Sequence, residues 1–182
     1  MNTKDIVYIA LFAALTAALG LFPPLTLPAV GVPITAQSMG VMLAGALAGS
    51  KRGGLALLLF VVLVAIGMPL LAGGRGGFGM FLGPSGGFIL SWPIAAFLIG
   101  WLIERHKGET PLVLSMVYIA IGGVGVVYLI GVPWLAFAAE LTLTQAITGS
   151  AGFIPGDLVK EVLAALITRG VRKAYPDLGT RS

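Results

Sequence analysis

LVLSMVYIAIGGVGVVYLI, residues 112–130, runs for nineteen positions without one charged side chain. That length matches the roughly 20 residues an α-helix needs to cross about 30 Å of hydrocarbon. The run lacks the in/out alternation of a barrel strand, so a helix is expected. Lipid offers no partner to backbone N–H and C=O groups, and a helix satisfies them internally. The composition of the whole chain points the same way. Of its 182 residues, 58% are hydrophobic and 10% charged, with a mean hydropathy of +1.03, against about 45–50% and 25% in a soluble domain.

Working outward from 112–130, five further apolar spans are expected, at 6–22, 36–49, 54–71, 87–103 and 156–171. The fold class predicted is an all-α integral membrane protein, a six-transmembrane-helix bundle forming a single membrane domain over 1–182. Pro23-Pro24 ends the first span. With Lys4 ahead of it, that span has the outline of a signal peptide, but Asp5 stands in the n-region and no A-x-A site follows, so a retained helix is expected.

Charge placement sets the orientation. Lys4, Lys51, Arg52, Arg105, Lys107, Arg169, Arg172, Lys173 and Arg181 make nine of the eleven basic residues, and all fall on one side of the six spans. Only Arg75 and Lys160 fall on the other. The positive-inside rule then places both termini in the cytoplasm of a multi-pass cell-membrane protein. It also explains the net charge of +4 without a nucleic-acid partner. The longer loops, 23–35, the glycine-rich GGRGGFGMFLGPSGGF at 73–88, and 131–155, then share the extracytoplasmic face. The chain has no cysteine and one histidine, which leaves no disulfide framework and no thiolate or imidazole metal site.

Two charges on that face draw attention. Asp157 and Lys160 lie three apart, hence on one helix face, just after Pro155, a residue suited to a helix start. Either they pair with each other and reach towards the headgroups, or they offer an acceptor and a cation to a small ligand at the mouth of the bundle. Glu140 is expected to be solvated or interfacial. Trp134 belongs either to an aromatic belt or on a ligand, with the belt expected, and 131–154 suggests a surface-lying or re-entrant segment over the pocket.

An enzyme reading has to be weighed, because GPSGG at 83–87 matches G-x-S-x-G and resembles the serine motif of rhomboid intramembrane proteases. A serine nucleophile needs a base about 3 Å away. The sole histidine, His106, falls on the cytoplasmic side, most of a span from Ser85, so Ser85 is expected to cap the fourth span instead. No G-x-x-x-x-G-K-[ST] occurs, so the chain is not expected to energise any process by hydrolysing nucleotide. The span interiors hold almost no ionisable residues, which disfavours an autonomous ion relay.

In the first span, Ala10, Ala14 and Ala18 recur every four positions, with Ala13 and Ala17 beside them. Such small-residue rows let helix backbones approach in membranes. The partner is either another span of the same chain or a separate subunit. Gly45 and Gly49 repeat the spacing in the second span.

Taken together, VPITAQSMGVMLAGALAG at 32–49, GPSGGFILSWPIAAFLIG at 83–100 and FIPGDLVK at 153–160 resemble blocks of the BioY family in the family's order, over essentially the whole chain. These are the biotin-specific substrate-binding (S) components of energy-coupling factor (ECF) transporters. The resemblance implies capture of one biotin as transported ligand near the extracytoplasmic surface, with no cofactor and no catalytic residue. It implies docking through Ala10, Ala14 and Ala18 onto a transmembrane coupling subunit that carries two ATPases, or slow transport alone as a homo-oligomer. Asp157 and Lys160 match the family's GD-x-x-K pair. A carboxylate suits biotin's ureido N–H groups, a cation its valerate, and apolar walls its thiophane ring. Gly74, Arg75, Gly83, Ser85, Gly86 and Gln37 complete the expected ligand set. Arg75 is not assigned to a family position, and either meets the carboxylate or faces solvent. An S component for another small vitamin is the alternative within transport, and a rhomboid-like protease the alternative outside it.

Overall fold

A computed structural model of the protein describes residues 1–26, 31–106 and 109–175. Lys107 and Arg181, counted above for orientation, lie outside them, as do residues 27–30 of the 23–35 loop. The chain forms α1 (Thr3–Leu19), a pair of two-residue antiparallel strands β1 (Leu25–Thr26) and β2 (Pro33–Ile34), and α2 (Gln37–Leu43), which continues as a π-helical turn over Ala44–Ala48. Then follow α3 (Ser50–Ala65), a one-turn α4 (Gly79–Leu82), α5 (Gly86–Arg105), α6 (Leu112–Ala120), a second π-helical stretch at Ile121–Val126, α7 (Val127–Ala138), α8 (Leu143–Ala151) and α9 (Ile154–Ala174).

Local chemistry accounts for the ends. Asn2 and Asp5 form a reciprocal capping box that starts α1, so Asp5 serves a helix terminus. α3 begins at Ser50 and ends at Ala65, short of the expected 71, because Gly67 and Pro69 break the helix. In contrast, α6, the π stretch and α7 run as one helix from Leu112 to Ala138, through Pro133 and past the expected end at 130. Of the expected 131–155 loop, only 139–142 and 152–153 stay non-helical; the remainder is the end of α7, α8 and the start of α9. Gly86–Arg105 and Leu112–Ala138 are long and apolar enough to cross a hydrocarbon core.

α5 is the hub of the packing, touching α3, α7 and both π stretches. Phe60 of α3 meets Trp92 of α5 at a centroid distance of 5.7 Å. Small residues let the backbones close in: Gly45, in the first π stretch, lies against Ala96 and Ile99 of α5. Outward faces are apolar. On α9, Val159, Val162, Leu163 and Leu166 are exposed, whereas Asp157, Glu161 and Thr168 are buried with Ala164 and Ala165. That polarity, apolar out and polar in, suits a helix solvated by lipid.

Hydrogen bonds sort the helix ends into two groups. At one end Arg52 Nε meets Asp5 Oδ1 at 2.7 Å, joining α3 to α1. There too, Glu104 accepts from Ser50 N and Oγ, and Arg172 donates to Ala46 O. Lys51, Arg52, Arg105, Arg172 and Lys173 therefore gather at this end. Arg75 and Lys160 lie at the other, with the glycine-rich stretch.

Candidate ligand-binding site

At that second end, α9 brings Asp157 and Lys160 against the 35–38 segment and α7. The Lys160 ammonium lies 2.6 Å from Asp157 Oδ1 and donates to Thr35 O at 3.1 Å and Ser38 Oγ at 2.7 Å. Tyr128 of α7 donates its phenolic proton to Asp157 Oδ2 at 2.6 Å. The first option left open by the sequence is realised: the two charges pair, as part of a polar cluster in which Asp157 is only 7% exposed. Each Asp157 oxygen has one donor, and a carboxylate has about four lone-pair sites, so further donors can be accepted. Beside the cluster, Phe88 packs edge-on against Tyr128 and against Phe153, at 6.2 and 6.4 Å. An acceptor, a cation and aromatic walls converge here.

Tyr128, Ser38 and Thr35 escaped the sequence reading. The one signal for Tyr128 was a hydroxyl inside an otherwise apolar span. Glu161, one turn beyond Asp157 on the same face, was also missed: it is 8% exposed, and its Oε2 has no hydrogen-bond partner. The span interiors are therefore less free of ionisable groups than expected.

Gln37 is corrected from ligand contact to support. It is 1% exposed, and its amide is spent inside the protein: Nε2 donates to Thr16 O and Leu70 O, while Oε1 accepts from Ala72 N at 2.9 Å. It anchors a tight hairpin in which Leu71 and Arg75 exchange both backbone hydrogen bonds. Gly73 and Gly74 turn that hairpin with φ of +80° and +69°, a region L side chains rarely adopt. Arg75 donates from Nε to Ala72 O at 3.0 Å, closing its own hairpin.

The 83–87 segment is held from α7. Trp134 Nε1 donates to Gly83 O at 3.0 Å, so Trp134 fastens a loop. A Cβ on Gly86 would strike Phe81 O, and one on Gly87 the Trp134 side chain. Close packing, not ligand approach, requires glycine at 86. Gly83 has open space around it. Ser85 occupies the N-cap position of α5 but makes no capping hydrogen bond. His106 sits at the far end of α5, about 30 Å away at 1.5 Å per residue, and Lys160 is engaged with Asp157, Thr35 and Ser38, so neither candidate base serves Ser85. Ala10, Ala14 and Ala18 are exposed on α1, while Ile9, Phe12 and Ala13 face the core. The row is therefore not covered by another described span. Glu140 is exposed.

A family model described as the BioY family matches residues 1–177. The chain belongs to the BioY family. Among BioY relatives, the "Biotin transporter BioY" of Rhizobium etli is 48% identical, covering 100% of both chains. The "Probable biotin transporter BioY" of Bacillus subtilis is 44% identical over 93% of this chain and 91% of its own. A solved structure described as the S-component for biotin from an ECF-type ABC transporter superposes with a TM-score of 0.90 at 35% identity, covering 95% of each chain. BioY proteins are thus transporters and not enzymes, which sets the protease alternative aside. As a BioY chain, this is a membrane protein, in keeping with its apolar helices.

Proposed function

We propose that this BioY chain is the biotin-binding S component of an ECF-type transporter, and that biotin binds at the Asp157 cluster. The observation that carries the reading is the cluster itself: a buried carboxylate and ammonium, oriented by Tyr128, Thr35 and Ser38, beside the Phe88 and Phe153 rings. Biotin's ureido N–H groups donate to the remaining lone pairs of Asp157. Lys160, paired with Asp157 at 2.6 Å, meets the same end of the ligand as that carboxylate. The thiophane ring lies against the aromatic walls. Gly74, Arg75, Gly83 and Ser85 belong to the cover over the ligand, and Gln37 and Trp134 hold that cover in place.

The six long helices cross the membrane, with both termini and the basic end in the cytoplasm and the Asp157 end outside. The exposed row of Ala10, Ala14 and Ala18 docks onto a coupling subunit carrying the ATPases, since nothing in this chain hydrolyses nucleotide. Capture under closed loops is followed by reorientation of the bundle to release biotin inside. Equilibrium binding of labelled biotin to the purified chain is the direct test. Saturable binding lost in Asp157→Ala supports the assignment; absence of saturable binding to the folded wild type would overturn it.

A further inference from the structure

Between α7 and α8 runs a groove of about 330 Å³, lined by Tyr128, Val132, Leu143, Ile147, Ser150 and Ala151 among others. Its walls are apolar and its rim is outward-facing: Leu129 is 76% exposed, Leu143 55% and Ile147 54%. In a chain solvated by lipid, such a groove opens to the bilayer. That volume leaves room for one hydrocarbon chain and too little for a helix about 10 Å across. One polar group breaks the apolar lining. Ser150 is 1% exposed and its Oγ has no hydrogen-bond partner. Thr148, on the same helix, satisfies its hydroxyl on Thr144 O and Gln145 O; Ser150 does not. A buried hydroxyl left unpaired costs about 1–3 kcal/mol, so an acceptor is called for, and Ser150 belongs to the groove lining.

We propose that this groove binds one acyl chain of a bilayer phospholipid, whose ester carbonyl accepts a hydrogen bond from Ser150 Oγ. The depth agrees, since α8 lies at the end of the bundle that carries Asp157, level with the last turns of α7, where glycerol esters of the adjoining leaflet are found. The lipid also touches Tyr128, whose hydroxyl holds Asp157. Lipid occupancy therefore supports the polar cluster from behind. That last consequence rests on the proposed biotin site; lipid binding itself does not.

The test uses full-length protein in nanodiscs of diester or diether phosphatidylcholine, released into mild detergent and examined by native mass spectrometry. Wild type is expected to retain one lipid per chain, with the diester retained at least fivefold over the diether. S150A should lose that preference while still retaining lipid, and A151F, which fills the groove, should lose retention of both. Wild-type lipid retention that survives A151F unchanged, an ester preference that survives S150A, or no retained lipid with a second copy cross-linking through Ile147 would each overturn the proposal. If A151F does not fold, the ester-to-ether ratio in S150A decides alone. Biotin binding measured in parallel separates the two readings, since a failure of biotin binding leaves the lipid count untouched.

Discussion

Tyr128 and Asp157 meet through a 2.6 Å hydrogen bond from the phenol to Oδ2, tying the middle of the longest apolar helix to the first turn of α9. The bond leaves one Asp157 oxygen facing Lys160 and fixes the carboxylate plane. Tyr128→Phe keeps the ring packing against Phe88 and removes only this donor. A hydrogen bond to a charged group contributes about 1.5–3 kcal/mol, so biotin affinity should fall by roughly 10- to 100-fold. Titration with labelled biotin reads this directly; an unchanged Kd would detach Tyr128 from the site.

Lys160→Met should strand a carboxylate that is only 7% exposed. Removing one partner of a buried pair costs about 3–5 kcal/mol, visible as a large drop in thermal midpoint. Adding Asp157→Asn removes the stranded charge, so the double variant should recover much of the stability but none of the biotin binding. Equal instability of single and double variants would show that the pair is not coupled.

Gln37→Leu should loosen the Leu71–Arg75 hairpin without touching the Asp157 cluster. Two buried backbone groups, Thr16 O and Ala72 N, and the part-buried Leu70 O lose the Gln37 amide, at about 1–3 kcal/mol for an unsatisfied buried group. Hydrogen exchange at 70–75 should accelerate selectively. Uniform exchange along the chain would contradict the positioning role.

Glycines 83 and 87 make a controlled comparison. Gly87→Ala drives a Cβ into Trp134 and should destabilise by about 1–3 kcal/mol, as overpacking does. Gly83→Ala meets nothing within 4 Å at an ordinary φ of −84° and should leave the thermal midpoint within a degree or two. Similar losses in both would refute the packing account.

Ala14→Trp projects a large side chain from an exposed position of α1. Co-purification with the coupling subunit should be lost while biotin affinity of the isolated chain stays as in wild type. Retained co-purification would move the docking surface elsewhere.

Much of the helical plan was legible because hydropathy is a local sum: 112–130 reads as membrane-embedded wherever it packs, and Gly67-Met68-Pro69 or the Asn2/Asp5 box act within a turn. Asp157 and Lys160 were legible as a pair for the same reason, being three residues apart on one helix. Their meaning was not. Lys160 reaches Thr35 and Ser38 across more than a hundred positions, Tyr128 reaches Asp157 across 29, and Trp134 reaches Gly83 across 51. The sequence by itself determined a lipid-solvated helical chain, its basic end, and the residue types a biotin site would use. Only the tertiary structure decided that Gln37 and Trp134 hold loops, that Ala10, Ala14 and Ala18 face outward, and that Asp157 is oriented by Tyr128. Burial and hydrogen-bond partnership at these positions depend on how α7 and α9 pack, a property no local stretch of residues contains.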